Sequence, residues 1–290
     1  MTKKRIEASK DYLLKASYAW ILDDEAFLGW RDNHDKRLLW IKGDPGKGKT
    51  MMMIGLIDEL KKELRTKPGL HALSYFFCQS TDNRLNNAVS VLRGIIYLLA
   101  VEHQTLIHHL QKKYNTAGAQ LFEGPNVFYT LSGILLDMLS DSSLESVILM
   151  VDALDECDSG LNGLLKLISM DSLLSPKVKW LVASRYRPDI EEWLKADAFR
   201  QKINLELNSS HISHAVNTFI DAKVFELGER RPFDNELQRK IRNYLLENSE
   251  DTFLWVSLVC KRLEVVPLWK IKLQLTEVSW RIPTRTGTAL

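Results

Sequence analysis

What is scarce in this sequence excludes a good deal. Only three of its 290 residues are cysteines. Cys78, Cys157 and Cys260 lie far apart and form no Cys-x-x-Cys pair, so neither a disulfide framework nor a cysteine zinc site is expected. Excess charge of one sign is missing too. The formal balance is +2, which gives no basis for broad attraction to nucleic acid or to a membrane surface. Long apolar runs are absent: Val91 to Val101 is interrupted by Arg93 and falls short of the roughly 20 residues that span a bilayer. The N-terminus reaches Asp11 without the apolar segment of a secretory signal. A soluble, cytoplasmic chain with no membrane span and no nucleic-acid partner is the expectation. With 45% hydrophobic residues it is globular rather than disordered, and long enough for one large domain or two modest ones.

Hydrophobic patterning divides the chain. Tyr12, Leu13, Ala16, Ala19 and Trp20, then Phe27 and Trp30, recur at helical spacing in a lead-in over residues 1–35. Over residues 36–207 short apolar runs alternate with helical patterns. Strands are predicted at residues 37–42, 72–78, 146–152 and 178–184, with a weaker one at 202–207. Helices are expected after Lys49, around Val91 to Leu99 and onward to about Leu139. Such alternation predicts an α/β fold, a three-layer sandwich around a five-stranded parallel sheet. Residues 208–270 read as helices only, a small helical subdomain, and residues 271–290 as a loose tail.

Gly43-Asp44-Pro45-Gly46-Lys47-Gly48-Lys49-Thr50 fills every defined position of the phosphate-loop pattern, between a strand and a helix. Glycines let backbone N–H groups curl around a β-phosphate, and the helix that continues through Met51 presents its positive end. Lys49 reaches the β- and γ-phosphates, while the Thr50 hydroxyl joins an Mg²⁺ shell. Lys47 is a loop position. The pattern implies a bound nucleoside triphosphate, ATP or GTP, since no motif marks a base pocket.

Three further features extend this reading. Asp152 closes an apolar strand in the manner of a Walker B element, whose carboxylate holds Mg²⁺ through water; taken alone, it is equally a strand-terminal loop acid. Asp155 and Glu156 add two carboxylates, either able to orient an attacking water. Capping of a helix that begins near Gly160 is their alternative role. Arg185 directly follows the fourth strand. If that strand lies between the phosphate-loop strand and the Asp152 strand, its guanidinium points toward a γ-phosphate; otherwise it is an ordinary surface arginine. Arg187 and Pro188 shape the following turn. Trp20, Trp30, Trp40, Trp180, Trp193 and Trp255 are read as core or boundary aromatics, with Trp20 also able to approach a nucleotide base. His103, His108 and His109, with only Glu102 close in sequence, are read as surface or packing residues.

Together, Gly43 to Thr50, the cluster Asp152-Ala153-Leu154-Asp155-Glu156, Ser184-Arg185 and Asp251-Thr252-Phe253-Leu254-Trp255-Val256 resemble the fungal NACHT domain of the vegetative-incompatibility, NOD-like receptor type. Tyr18-Ala19-Trp20-Ile21-Leu22 and Tyr75-Phe76-Phe77-Cys78-Gln79 resemble it as well, so that the likeness covers residues 10 to 270 or so. The resemblance implies a switch with slow hydrolysis, closed with a diphosphate and opened by a triphosphate, whose partners are further copies of itself or full-length NACHT relatives. After Pro267-Leu268-Trp269-Lys270 the chain departs from the family pattern where a winged-helix segment continues, and it is read as truncated. Two other functions stay open: a non-catalytic interaction module, and a kinase acting on a small molecule.

Overall fold

The computed structural model describes Lys15, residues 18–174 and residues 176–271. Tyr12, Leu13 and Ala16 of the predicted lead-in, and the tail beyond Ile271, lie outside the described residues. Five parallel strands, β1 (Leu38–Lys42), β2 (Leu70–Phe77), β3 (Leu144–Asp152), β4 (Val178–Ser184) and β5 (Arg200–Asn204), form one sheet in the order β2-β3-β4-β1-β5. Burial runs unbroken along β1 from Leu38 to Ile41 and along β3 from Val147 to Asp152, because helices cover both faces.

Side chains alternate between those faces along each strand. Leu38 and Trp40 of β1, Val147, Leu149 and Val151 of β3, and Val178, Trp180 and Val182 of β4 point into one core. That core is closed by α4 (Ala88–Glu102), α6 (Val127–Leu139), α7 (Leu161–Leu174) and α8 (Pro188–Leu194). On the other face α3 (Lys49–Thr66) lies against β2, β3 and β4, burying Met52, Met53, Leu56, Ile57 and Leu60. Alongside it α2 (Glu25–Asp32) packs on β1 and β5, and the short α1 (Ala19–Leu22) precedes it. The Asp24 carboxylate starts α2 by accepting the N–H groups of Ala26 and Phe27 at 2.9 and 3.3 Å. Between α4 and α6 runs α5 (Ile107–Ala117).

Strand boundaries differ from the sequence pattern at several points, most at the start of β2 and β3 and at both ends of β5. Strand β2 begins at Leu70, where it pairs with Leu144 of an equally lengthened β3. Strand β5 ends at Asn204, three residues before the predicted Leu207. There Asn204 Oδ1 accepts the Glu206 N–H at 3.2 Å and its carbonyl accepts the Leu207 N–H at 3.2 Å, which turns the chain and leaves Leu207 exposed.

The chain divides into two compact units, one ending at Ser209 and the other beginning at Ser210. The second contains α9 (Ser209–Arg230) from its second residue on, α10 (Asn235–Asn248) and α11 (Phe253–Val265). Its core holds Phe219 edge-on to Phe253 with ring centroids 5.4 Å apart, together with Ile241, Leu245, Val256 and Val259. No described helix is long and apolar enough to cross a membrane.

Helix α4 meets β2 closely at Gly94, where an added Cβ would lie 2.3 Å from Phe76 Cδ2. In an exposed helix Gly→Ala gains up to about 1 kcal/mol, whereas overpacking a core costs about 1–3 kcal/mol. Gly94→Ala is therefore expected to lower unfolding free energy by about 1 kcal/mol in urea titrations. A stabilised variant would contradict this packing.

Candidate functional site

Beyond Lys42 the chain is held from both sides. The Gly43 N–H donates to the Ser184 carbonyl of β4 at 3.2 Å, and the Leu205 N–H donates to the Lys42 carbonyl at 2.9 Å. Gly43 has no room for a side chain, since a Cβ there would lie 2.7 Å from Leu205 Cδ1. Gly46 and Gly48 take φ values of 81° and 86°, a left-handed conformation open to glycine at little cost. Gly48 is also the N-cap of α3 and supplies no side-chain acceptor, so the first-turn N–H groups have no capping side chain. Asp44 and Pro45 form the exposed tip, and the Lys47 N–H closes it on the Asp44 carbonyl at 3.4 Å.

The Lys49 ammonium folds back into this loop, donating to the carbonyls of Gly43 and, at 2.9 Å, Asp44. Burial lowers its pKa, and the charges of Asp152 and Asp155 act in the opposite direction. A partly desolvated cation held on the loop's own carbonyls fits phosphate oxygens well as alternative partners. Thr50 sits in the first turn of α3 beside buried Met51. One acid here escaped notice in the sequence: Glu206, whose Oε1 accepts the Asp44 N–H at 2.7 Å. No motif marks it, because its place depends on how β5 pairs with β1.

Asp152 ends β3 with its side chain almost wholly buried. Its carbonyl accepts the Cys78 N–H at 3.0 Å. Immediately after it Ala153 adopts φ 52°, ψ 47°, a left-handed conformation costing a residue with a Cβ about 1–2 kcal/mol. This break converts the strand into a 3₁₀ turn over Leu154–Glu156. Leu154 drops into the core, and Asp155 and Glu156 are turned toward β4. Asp155 Oδ1 accepts the Arg185 N–H at 2.9 Å and Oδ2 lies 3.4 Å from Arg185 Nε. Glu156 Oε1 lies 3.6 Å from Arg185 Nη2, while its Oε2 accepts the Ser80 N–H at 3.0 Å. Capping of α7 is thus not what these acids do; that helix starts at Leu161.

Strand β4 does lie between β1 and β3, so Gly43, Arg185 and Asp152 leave three adjacent strand ends on the carboxyl side of the sheet. Arg187 secures the turn beyond, its Nη1 donating to the Asp155 carbonyl at 3.1 Å. Trp20 is half-buried on α1, and its neighbour Tyr18 packs over Gly55 of α3 with its hydroxyl donating to Glu59 at 3.2 Å. Burial pushes the Cys78 thiol well up and the Cys157 thiol to about 11, so neither is a thiolate nucleophile at neutral pH. The glycine cradle, the desolvated lysine, the Thr50 hydroxyl and the buried Asp152 carboxylate form a donor set that suits a triphosphate and a hard cation such as Mg²⁺.

A family profile described as Nephrocystin 3, N-terminal matches residues 16–185. The vegetative incompatibility protein HET-E-1 of Podospora anserina is 51% identical over 261 residues, which is 90% of this chain and 19% of that protein. The chain therefore spans about a fifth of that relative's length. Among solved structures, a Walker-type ATPase of Pyrococcus abyssi superposes with a TM-score of 0.52 over 91% of this chain and 71% of that one, at 10% identity, a likeness of fold alone.

Asp155 is the more deeply held partner of the ion cluster, with 8% of its side chain exposed against 50% for Arg185. Asp155→Ala is expected to cost about 1.5–3 kcal/mol, the range for a hydrogen bond to a charged group. Arg185→Ala should cost about 1 kcal/mol or less, as for an exposed ion pair. Denaturant unfolding followed by tryptophan fluorescence measures both, and the reverse ranking would contradict the geometry.

Proposed function

The chain belongs to the nephrocystin 3 N-terminal family, and from that premise we propose that it is the nucleotide-operated switch of a NACHT-type signalling protein, binding ATP or GTP with Mg²⁺ and hydrolysing it slowly. The observation that carries this reading is the convergence of the Gly43–Thr50 loop, Arg185 and Asp152 at neighbouring ends of β1, β4 and β3. The half-identical incompatibility protein supports a signalling NTPase-type module.

In this reading the loop amides cradle the phosphates, and Lys49 exchanges the carbonyls of Gly43 and Asp44 for phosphate oxygens. Thr50 and Asp152 hold the metal. Mg²⁺, when bound, offsets the negative charge on the phosphate oxygens. Glu156 orients the water, with Asp155 holding the turn. Both oxygens of Asp155 face Arg185, whereas Glu156 is the more open of the two. Arg185 reports the γ-phosphate: its guanidinium bridges both acids here, and a phosphate offers it a stronger partner. Held between Arg185 and the Ser80 amide, Glu156 is a restrained base, consistent with slow turnover. That same restraint favours a second reading, a non-catalytic module that associates with copies of itself or with full-length NACHT relatives.

Lys49→Ala is expected to weaken nucleotide binding about ten- to hundredfold, the worth of a charged hydrogen bond, with little change in folding stability. Calorimetry with Mg-ATP and Mg-GTP checks this, and wild-type affinity in the variant would remove Lys49 from the site. Glu156→Gln is expected to slow hydrolysis by about 10²–10⁴ while leaving affinity nearly unchanged. Turnover absent in the wild type and unaltered by the substitution would favour the non-catalytic module, and a parallel fall in both quantities would give Glu156 a structural role.

A further inference from the structure

His108 and His109 open helix α5, and the chain returns beside them at Asp141, in the turn between α6 and β3. His109 Nε2 lies 2.8 Å from Asp141 Oδ2, and His108 Nε2 lies 3.8 Å from the same oxygen. The two rings face each other with centroids 3.8 Å apart. Asp141 is fixed in place: its Oδ1 accepts the Ser143 N–H at 2.8 Å and the Ser143 hydroxyl at 2.6 Å, and its carbonyl accepts from Lys177 Nζ at 3.0 Å. In sequence only Glu102 stood near these histidines; the acid that meets them is 32 residues beyond His109.

A single histidine bonded to a carboxylate is ordinary packing, and His109 with Asp141 alone would be that. His108 changes the chemistry. Its Nδ1 lies 2.6 Å from the Thr105 carbonyl, which can only accept, so the ring proton sits on Nδ1. In the neutral ring the Nε2 lone pair of His108 then lies near an anionic oxygen, an arrangement that a cation between them relieves. Fixing of one imidazole nitrogen by a carbonyl so that the other can ligate is the usual outer support of a metal-bound histidine. Two nitrogens and one carboxylate suit zinc-like ions and not Mg²⁺ or Ca²⁺. A tetrahedral zinc with bonds of about 2.0–2.2 Å needs donors about 3.3 Å apart. The separations of 2.8 and 3.8 Å bracket that spacing, and all three donor atoms lie within 4.8 Å of one another.

We propose that His108, His109 and Asp141 form a surface site for a zinc-like divalent transition-metal ion, with water completing its shell. Bound there, the ion staples the start of α5 to the turn that leads into β3. The site is separate from the strand ends that hold the phosphate loop and does not depend on the nucleotide reading.

The test is calorimetric titration of the tag-free full chain with Zn²⁺ alone. One equivalent is expected to bind, with affinity at least about tenfold weaker in His108→Ala, in His109→Ala and in Asp141→Asn. His108 is more than half exposed, so its removal leaves the fold intact and keeps the test informative should the Asp141 variant misfold. Nucleotide affinity should be unchanged in both histidine variants. Thermal stability should rise with Zn²⁺ in the wild type and not in the doubly substituted His108→Ala/His109→Ala protein. No saturable zinc uptake by the wild type, or equal uptake by the double variant because zinc goes instead to the strand-end acids, would overturn the proposal.

Discussion

Strand β4 hydrogen-bonds to β1 along one edge and to β3 along the other, and the geometry of the candidate site depends on that double pairing. Neighbouring strands lie about 4.8 Å apart, so interposing β4 sets the phosphate loop and Asp152 about 10 Å apart with Arg185 between them. Buried contacts lock the arrangement. Trp40 Nε1 of β1 donates to Ser184 Oγ of β4 at 2.9 Å, and that hydroxyl donates to the Arg185 carbonyl at 2.8 Å. The Ser184 carbonyl in turn accepts the first amide of the loop, that of Gly43. One serine thus ties loop, strand and arginine into a single polar network, and a buried network with its members paired is rigid.

The chemistry follows from how abruptly the strands stop. Gly43 and Gly48 permit the turn after β1 because neither carries a Cβ, and Ala153 turns the chain after β3 at a cost in backbone energy. Strain of this kind gathers where side chains must be aimed. Here it sends Leu154 into the core and sets Asp155 and Glu156 against Arg185. The acids therefore share a cation instead of pointing freely into solvent, and any role they have in hydrolysis runs through that shared contact.

The parts of the molecule that were legible in the sequence are those governed by local rules. The phosphate loop could be read because its glycines answer a backbone demand that only glycine meets cheaply, and β1, β3 and β4 because strands covered on both faces are apolar throughout. Strand β5 ends three residues before its predicted end because an Asn204 turn, not hydrophobicity, stops it. The contacts of Arg185 could be stated only conditionally, since they required the strand order. Glu206 beside Asp44, and Asp141 beside His109, were illegible because spatial meetings across 162 and 32 residues leave no trace in spacing.

Whether the loop from Gly43 to Thr50 holds a nucleotide is answered most directly by denaturing freshly purified protein and identifying what it releases by chromatography. An adenine or guanine nucleotide is expected in near-equimolar amount, or its equimolar uptake when the protein is first incubated with Mg-ATP or Mg-GTP. Folded protein that releases none and takes up none would contradict nucleotide binding by the loop.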